Sequence, residues 1–171
     1  MRYVALWRGI NVGTAKRLAM ADLKALLTGL GATDVHTVLN SGNAVFDRAS
    51  PPDATALRAA VRAELGGDAA IILKTAQQWA GIAADPALPQ ATDPSRLMVA
   101  IAADTHALAA LQTSAWPADP VARWTPQAGY LWCPEGVLAS PAAVACLKGH
   151  GDRVTTRNWA TVQKLAALAA R

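Results

Sequence analysis

Charge is scarce in this sequence. Charged residues make up 16% of its 171 positions, against roughly 25% in an ordinary soluble domain. Hydrophobic residues reach 53%, which argues against disorder and for a sizeable core. Long apolar runs are missing as well. The run Tyr3-Val4-Ala5-Leu6-Trp7 is closed by Arg2 and Arg8, too short for a signal-peptide core, and no stretch approaches the roughly 18 apolar residues of a membrane span. The expectation is a soluble, cytoplasmic protein with no membrane partner. Cysteine is limited to Cys133 and Cys146, without a C-x-x-C pair; buried reduced thiols are the favoured reading and a disulfide is the alternative. The three histidines, His36, His106 and His150, lie far apart with no metal-ligand spacing. No Ser, Cys or His arrangement along the chain marks an activated nucleophile. Neither a metal nor a cofactor is expected, and an enzyme is disfavoured without being ruled out.

What charge there is leans positive, with a formal net of +4. Lys148, His150, Arg153, Arg157 and Lys164 crowd the C-terminal quarter, and Arg8, Lys16 and Arg17 crowd the first loop. This favours anionic ligands, although +4 is modest for a nucleic-acid binder and a dispersed solvated surface explains it as well.

Along the chain, residues 3–7 read as a buried strand. Met20, Leu23, Leu26, Leu27 and Leu30 are spaced for one face of a helix that stops at Gly31. Residues 35–39 and 44–47 are short strands joined by a tight turn, Asn40-Ser41-Gly42-Asn43. Ser50-Pro51-Pro52-Asp53 predicts a helix capped by Ser50 with proline at its first position. A fourth strand spans residues 70–74, and Thr75 with Gln78 predicts a capping box opening a helix with Trp79 and Ile82.

The proline-bearing stretch 85–95 lacks apolar periodicity and predicts a linker. Residues 1–84 then form a first lobe and residues 96–171 a second lobe with a C-terminal helix. The second half replays the first: a strand at 96–102, a helix capped by Asp104, paired strands at 121–125 and 130–133, and a helix opened by Ser140-Pro141. Lys74-Thr75-Ala76-Gln77-Gln78-Trp79-Ala80 aligns with Val154-Thr155-Thr156-Arg157-Asn158-Trp159-Ala160, with Thr, Trp and Ala at matching offsets. The expected fold is α+β: two ferredoxin-like βαββαβ lobes in tandem, an internal duplication.

Three stretches are candidates for chemistry. Arg8-Gly9-Ile10-Asn11-Val12-Gly13-Thr14-Ala15-Lys16-Arg17 follows a strand and precedes a helix, so glycine-freed backbone N–H groups beside cations offer a phosphate or carboxylate site. It has neither P-loop nor G-x-G-x-x-G spacing, and Gly9 and Gly13 are equally explained as turn residues. Asn40 to Asn43 offer amide and hydroxyl groups, or a bare turn. In Thr155-Thr156-Arg157-Asn158-Trp159 the hydroxyls read as helix caps, with Arg157 in the first helical turn against the dipole. That placement suggests a bound anion, or else pairing with a carboxylate such as Asp152. The strand aromatics Trp7, Trp124, Tyr130 and Trp132 are expected to pack in the core rather than stack bases.

Arg8-Gly9-Ile10-Asn11-Val12-Gly13, Ser41-Gly42-Asn43-Ala44-Val45-Phe46 and Thr155-Thr156-Arg157-Asn158-Trp159-Ala160-Thr161 together resemble the bacterial domain of unknown function 1697 family. The resemblance implies a two-lobe α+β fold and brings no activity, cofactor or catalytic residue. Asn40 stands where relatives usually have Gln, and Ser140-Pro141-Ala142 where they often place Ser-Lys. The functional expectation is a binder of an anionic small molecule or nucleic acid at a site between the lobes. Its candidate residues are Arg8, Gly9, Asn11, Gly13, Ser41, Gly42, Asn43, Thr156, Arg157, Asn158 and Trp159. The alternatives are an enzyme acting on a phosphorylated metabolite, using carboxylates or a carboxylate and a histidine beside Arg8, and a structural or protein-interaction module.

Overall fold

Tyr3, Ala5 and Trp7 alternate with Val4 and Leu6, and all five are buried. A strand with two apolar faces belongs at the centre of a sheet covered on both sides, and β1 (Arg2–Trp7) takes that place. In this computed structural model, residues 1–11, 17–84, 86–114 and 122–171 are described. The fold is α+β, with two four-stranded antiparallel sheets and, among the described residues, six α-helices. The chain divides into two compact units, Met1–Trp79 with Lys164–Arg171, and Ala80–Gln163.

In the first unit β1 lies between β3 (Asn43–Asp47) and β4 (Ile71–Thr75), with β2 (Thr33–Thr37) outside β3. Val4 pairs with Val45 on one side and Lys74 on the other. Tyr3, Ala5, Trp7, Ala44 and Phe46 form one core with Leu23, Leu26 and Leu27 of α1 (Met20–Gly29) and Leu57 of α2 (Ala54–Ala60). After α2 the chain loosens into a π turn, Val61–Leu65, and ends at Gly66 in the left-handed region. The opposite face of the sheet, Val4, Leu6, Val45 and Ile72, is also buried.

The N-cap of α2 is Asp53, not Ser50: its Oδ1 accepts from the N–H groups of Thr55 at 2.7 Å and Ala56 at 3.4 Å. Two consecutive prolines push the residues before them into extended backbone, so the helix starts only after both. The capping box of α3 (Ala76–Ile82) forms as read: Gln78 Oε1 accepts from Thr75 N at 2.9 Å and Gln78 N donates to Thr75 Oγ1 at 3.2 Å.

The second unit repeats the sheet order. Here β5 (Leu97–Ala102) lies between β7 (Gly129–Trp132) and β8 (Val154–Asn158), with β6 (Ala122–Trp124) outside β7. Ala100, Ala102 and Val154 pack on Leu108 and Leu111 of α4 (Thr105–Gln112) and Cys146 of α5 (Pro141–Gly149), while Met98 and Leu131 pack on Cys133 and Ala143. Both cysteines are buried, and neither forms a disulfide among the described residues. Trp124 lies across Gly129, where a Cβ would come within 2.3 Å of its ring.

Thr155 to Asn158, read from sequence as the caps and first turn of a helix, belong to a strand that starts at Val154, and α6 (Trp159–Ala169) begins after it. The β-branched Val154, Thr155 and Thr156 favour extended backbone, and they pair with Ala102, Ile101 and Ala100 of β5. Arg157 is therefore not in a helical turn, and the argument from the helix dipole does not apply to it. The α6 cap is Asn158, whose Oδ1 accepts from Thr161 N at 2.9 Å.

Candidate functional site

The first two signature stretches meet at one end of the first sheet. Trp7 N–H donates to Gly42 O and Arg8 N–H to Ala70 O, both at 2.8 Å, so the chain leaving β1 is tied to both neighbouring connections. Asn11 extends the tie: its Nδ2 donates to Asn40 O at 2.7 Å and to Leu18 O at 2.8 Å, and its Oδ1 accepts from Leu18 N at 2.6 Å. From the other loop the fully buried Asn43 donates through Nδ2 to Val38 O at 2.9 Å and Ser41 Oγ at 3.0 Å.

Four residues in these loops carry positive φ: Gly9 at 72°, Asn11 at 56°, Leu39 at 58° and Gly42 at 75°. Gly42 has a second reason to lack a side chain, since a Cβ would stand 2.6 Å from Ile10 Cδ1 and 2.9 Å from Trp7 Cβ. Leu39 in the left-handed region also ends β2 at Thr37, two residues before the strand read from sequence. Arg8 is partly buried and Arg17, next to Leu18, is exposed. Gly13 and Lys16 lie outside the described residues.

In the second unit, Arg157 Nη1 donates to Thr155 Oγ1 at 2.9 Å and to Thr156 O at 2.8 Å. Desolvation lowers its guanidinium to about 10. Two of the first N–H groups of α6 are engaged, Thr161 N by Asn158 and Ala160 N by Pro94 O at 3.1 Å. Trp159 meets the buried Tyr130 edge-on, with ring centroids 6.0 Å apart. The Tyr130 hydroxyl donates to Ile82 O at 2.8 Å, and burial raises its pKa. Trp7, Trp79 and Tyr130 are fully buried, so these rings have no face for a base to stack on.

The family follows from the sequence over most of this architecture. A family model described as a protein of unknown function, DUF1697, matches residues 1–132. The chain belongs to the DUF1697 family. The Arg8 and Ser41 stretches fall inside the matched region and the Thr155 stretch lies beyond it. No curated protein matches the chain. Among solved structures it is similar to the conserved bacterial protein SP0830 from Streptococcus pneumoniae, with 20% identity and a TM-score of 0.67 over 98% of each chain. That likeness carries the fold alone.

Several groupings in this DUF1697 chain are invisible along the sequence. Ser114 Oγ lies 2.9 Å from His150 Nε2, across 36 residues; the same hydroxyl is 2.9 Å from Ala110 O, which fits a tie between the C-terminal ends of α4 and α5. Asp34, with φ of 47°, bonds His36 Nε2 at 2.7 Å and also Arg2, and Arg2 binds Asp47 and donates to Leu168 O at 2.9 Å. The His36 bond is the main cause that holds Asp34 below the usual carboxylate range.

Strand register also corrects the internal alignment. Lys74 pairs with Val4 as Arg157 pairs with Val99, and Thr75 and Asn158 both cap the helix that follows. Matching Trp79 to Trp159 is thus three residues out. The register-equivalent pair is Lys74 and Arg157, a cation on the sheet face opposite α1 and α2 in the first unit and opposite α4 and α5 in the second. Among the described residues, no group of three or more His, Cys, Asp or Glu is placed to hold a metal ion, and no helix is long and apolar enough to cross a membrane.

Proposed function

We propose that the protein binds an anionic ligand, a phosphorylated small molecule in preference to nucleic acid, at the loop end of the first sheet. Arg8 and Arg17 supply the charge and the Gly9 backbone the close approach. The observation that carries this reading is the pair of interlocked loops with four positive-φ residues beside two arginines. Rigidly positioned, strained loops are where binding residues concentrate. Asn11 and Asn43 then act as scaffold, their amides engaged with backbone carbonyls. A thermal-shift panel at low salt with inorganic phosphate, nucleoside phosphates and a short oligonucleotide tests it: stabilisation by phosphate-bearing compounds supports the reading, and no shift with any of them contradicts it. Affinity falling steeply with salt would instead point to nucleic acid.

A purely architectural role is the second reading, favoured by those same amide bonds and by the Arg157 bonds to its own strand. The enzymatic reading has less support. Asp34 is bonded to both His36 and Arg2, and Arg2 is six residues from Arg8 along the chain of β1, which at about 3.3 Å per residue is roughly 20 Å.

We further propose that each unit is a ferredoxin-like βαββαβ half and that the chain arose by internal duplication. The order β2-β3-β1-β4 and its recurrence as β6-β7-β5-β8 support this, as do the equivalent positions of Lys74 and Arg157.

A further inference from the structure

We infer that Leu39 contacts the ligand of the first unit's loops, and that this ligand joins an apolar group to its anion. The inference rests on the anion-binding reading above. Three large hydrophobic residues are exposed among the described residues, Met1, Leu39 and Leu138. A single exposed leucine needs no explanation; one with φ of 58° does. The left-handed region crowds Cβ against the following carbonyl, so a loop residue there is ordinarily Gly or Asn. Leu39 is held in it from both sides. The carbonyl before it, Val38 O, accepts from Asn43 Nδ2, and the carbonyl after the next peptide, Asn40 O, accepts from Asn11 Nδ2. Val38 N also donates to Asn43 O at 2.9 Å. Two signature asparagines thus fix the backbone around a leucine whose side chain remains 53% exposed.

The setting gives the chemistry of the occupant. Leu18, bonded to Asn11 through both its N–H and its carbonyl, follows directly on the exposed Arg17. A cation and an exposed apolar side chain therefore border one asparagine clamp. An anion bonded to an aryl or alkyl group satisfies both, whereas inorganic phosphate satisfies only the cation.

Calorimetric titration at low salt with inorganic phosphate and with phenyl phosphate, on the whole chain and on Leu39→Gly and Leu39→Asn, tests this. Both substitutions suit positive φ and remove the apolar group. The wild-type chain is expected to bind phenyl phosphate roughly fivefold more tightly than inorganic phosphate, the gain from burying about 40 Å² of apolar surface. Both variants are expected to lose most of that ratio and to keep their affinity for inorganic phosphate. An unchanged ratio in both variants overturns the role of Leu39 while leaving the anion site standing. Failure of the wild-type chain to bind either compound overturns the anion reading, and this inference with it.

Discussion

Gly42→Ala is the substitution that presses hardest on the junction of the two signature loops. The added methyl would meet Ile10 Cδ1 at 2.6 Å, Ile10 Cγ1 at 2.7 Å and Trp7 Cβ at 2.9 Å. The isoleucine terminus is the end of a rotatable side chain, though a buried one; Trp7 Cβ is fixed by the β1 backbone, whose N–H is bonded to Gly42 O. Overpacking of this kind costs about 1–3 kcal/mol. The φ of 75° adds about 1–2 kcal/mol for an L-residue, less roughly 0.5–1 kcal/mol from the stiffer unfolded chain. The net loss is about 1–4.5 kcal/mol, or a melting temperature lower by roughly 2–18 °C for a chain of this size. Urea unfolding followed by tryptophan fluorescence reads it. Combining Gly42→Ala with Ile10→Ala removes two of the three close contacts, so the pair of losses should fall short of additive by about 1 kcal/mol. A loss below about 0.5 kcal/mol in Gly42→Ala, or strict additivity in the double variant, would contradict a clash at this junction.

Asn43→Ala should cost about 1–3 kcal/mol in urea unfolding, because the fully buried Asn43 amide no longer ties the Val38 carbonyl to Ser41 Oγ. Asn158→Ala removes the α6 cap and should cost about 1 kcal/mol by the same measurement. Arg157→Met and Arg157→Ala both remove the bonds to Thr155 Oγ1 and Thr156 O, but Met keeps the packing of the partly buried side chain, so Arg157→Ala should cost about 1 kcal/mol more than Arg157→Met in urea unfolding; equal losses in the two would contradict this. Asp34, Asp93 and Asp104 are held low chiefly by His36, by the Ser95 hydroxyl and by the Ala107 N–H respectively. Depressed carboxyl values stabilise the fold at neutral pH, and that contribution is lost as pH falls through and below the usual carboxylate range. The melting temperature should therefore decline below about pH 4; a rise on acidification would contradict the assignment.

The helices and the central strands were legible because their signals are local. The α1 leucines recur at helical spacing, and Thr75 with Gln78 forms the capping box its spacing announces. What failed locally failed for identifiable reasons. Thr155 and Thr156 before Asn158 and Trp159 resemble a helix start, yet their pairing with β5 decides for a strand. Ser50 has cap chemistry, but the two prolines after it move the start to Asp53.

The candidate site was legible as two separate motifs and not as one structure. Nothing in the spacing of Asn11 and Asn43 says that their amides close on the two sides of Leu39, because that depends on the β1 to β3 register. The Ser114 and His150 contact and the equivalence of Lys74 with Arg157 are likewise products of tertiary pairing.

Anion binding by the interlocked loops is tested most directly by titrating phenyl phosphate into the whole chain at low salt, with Arg8→Ala and Arg17→Ala alongside. Saturable one-site binding that weakens at least about tenfold in each variant, near the lower end for a charge-assisted hydrogen bond, is the predicted result. Binding that is absent in the wild-type chain, or that survives unchanged in both variants, would contradict it.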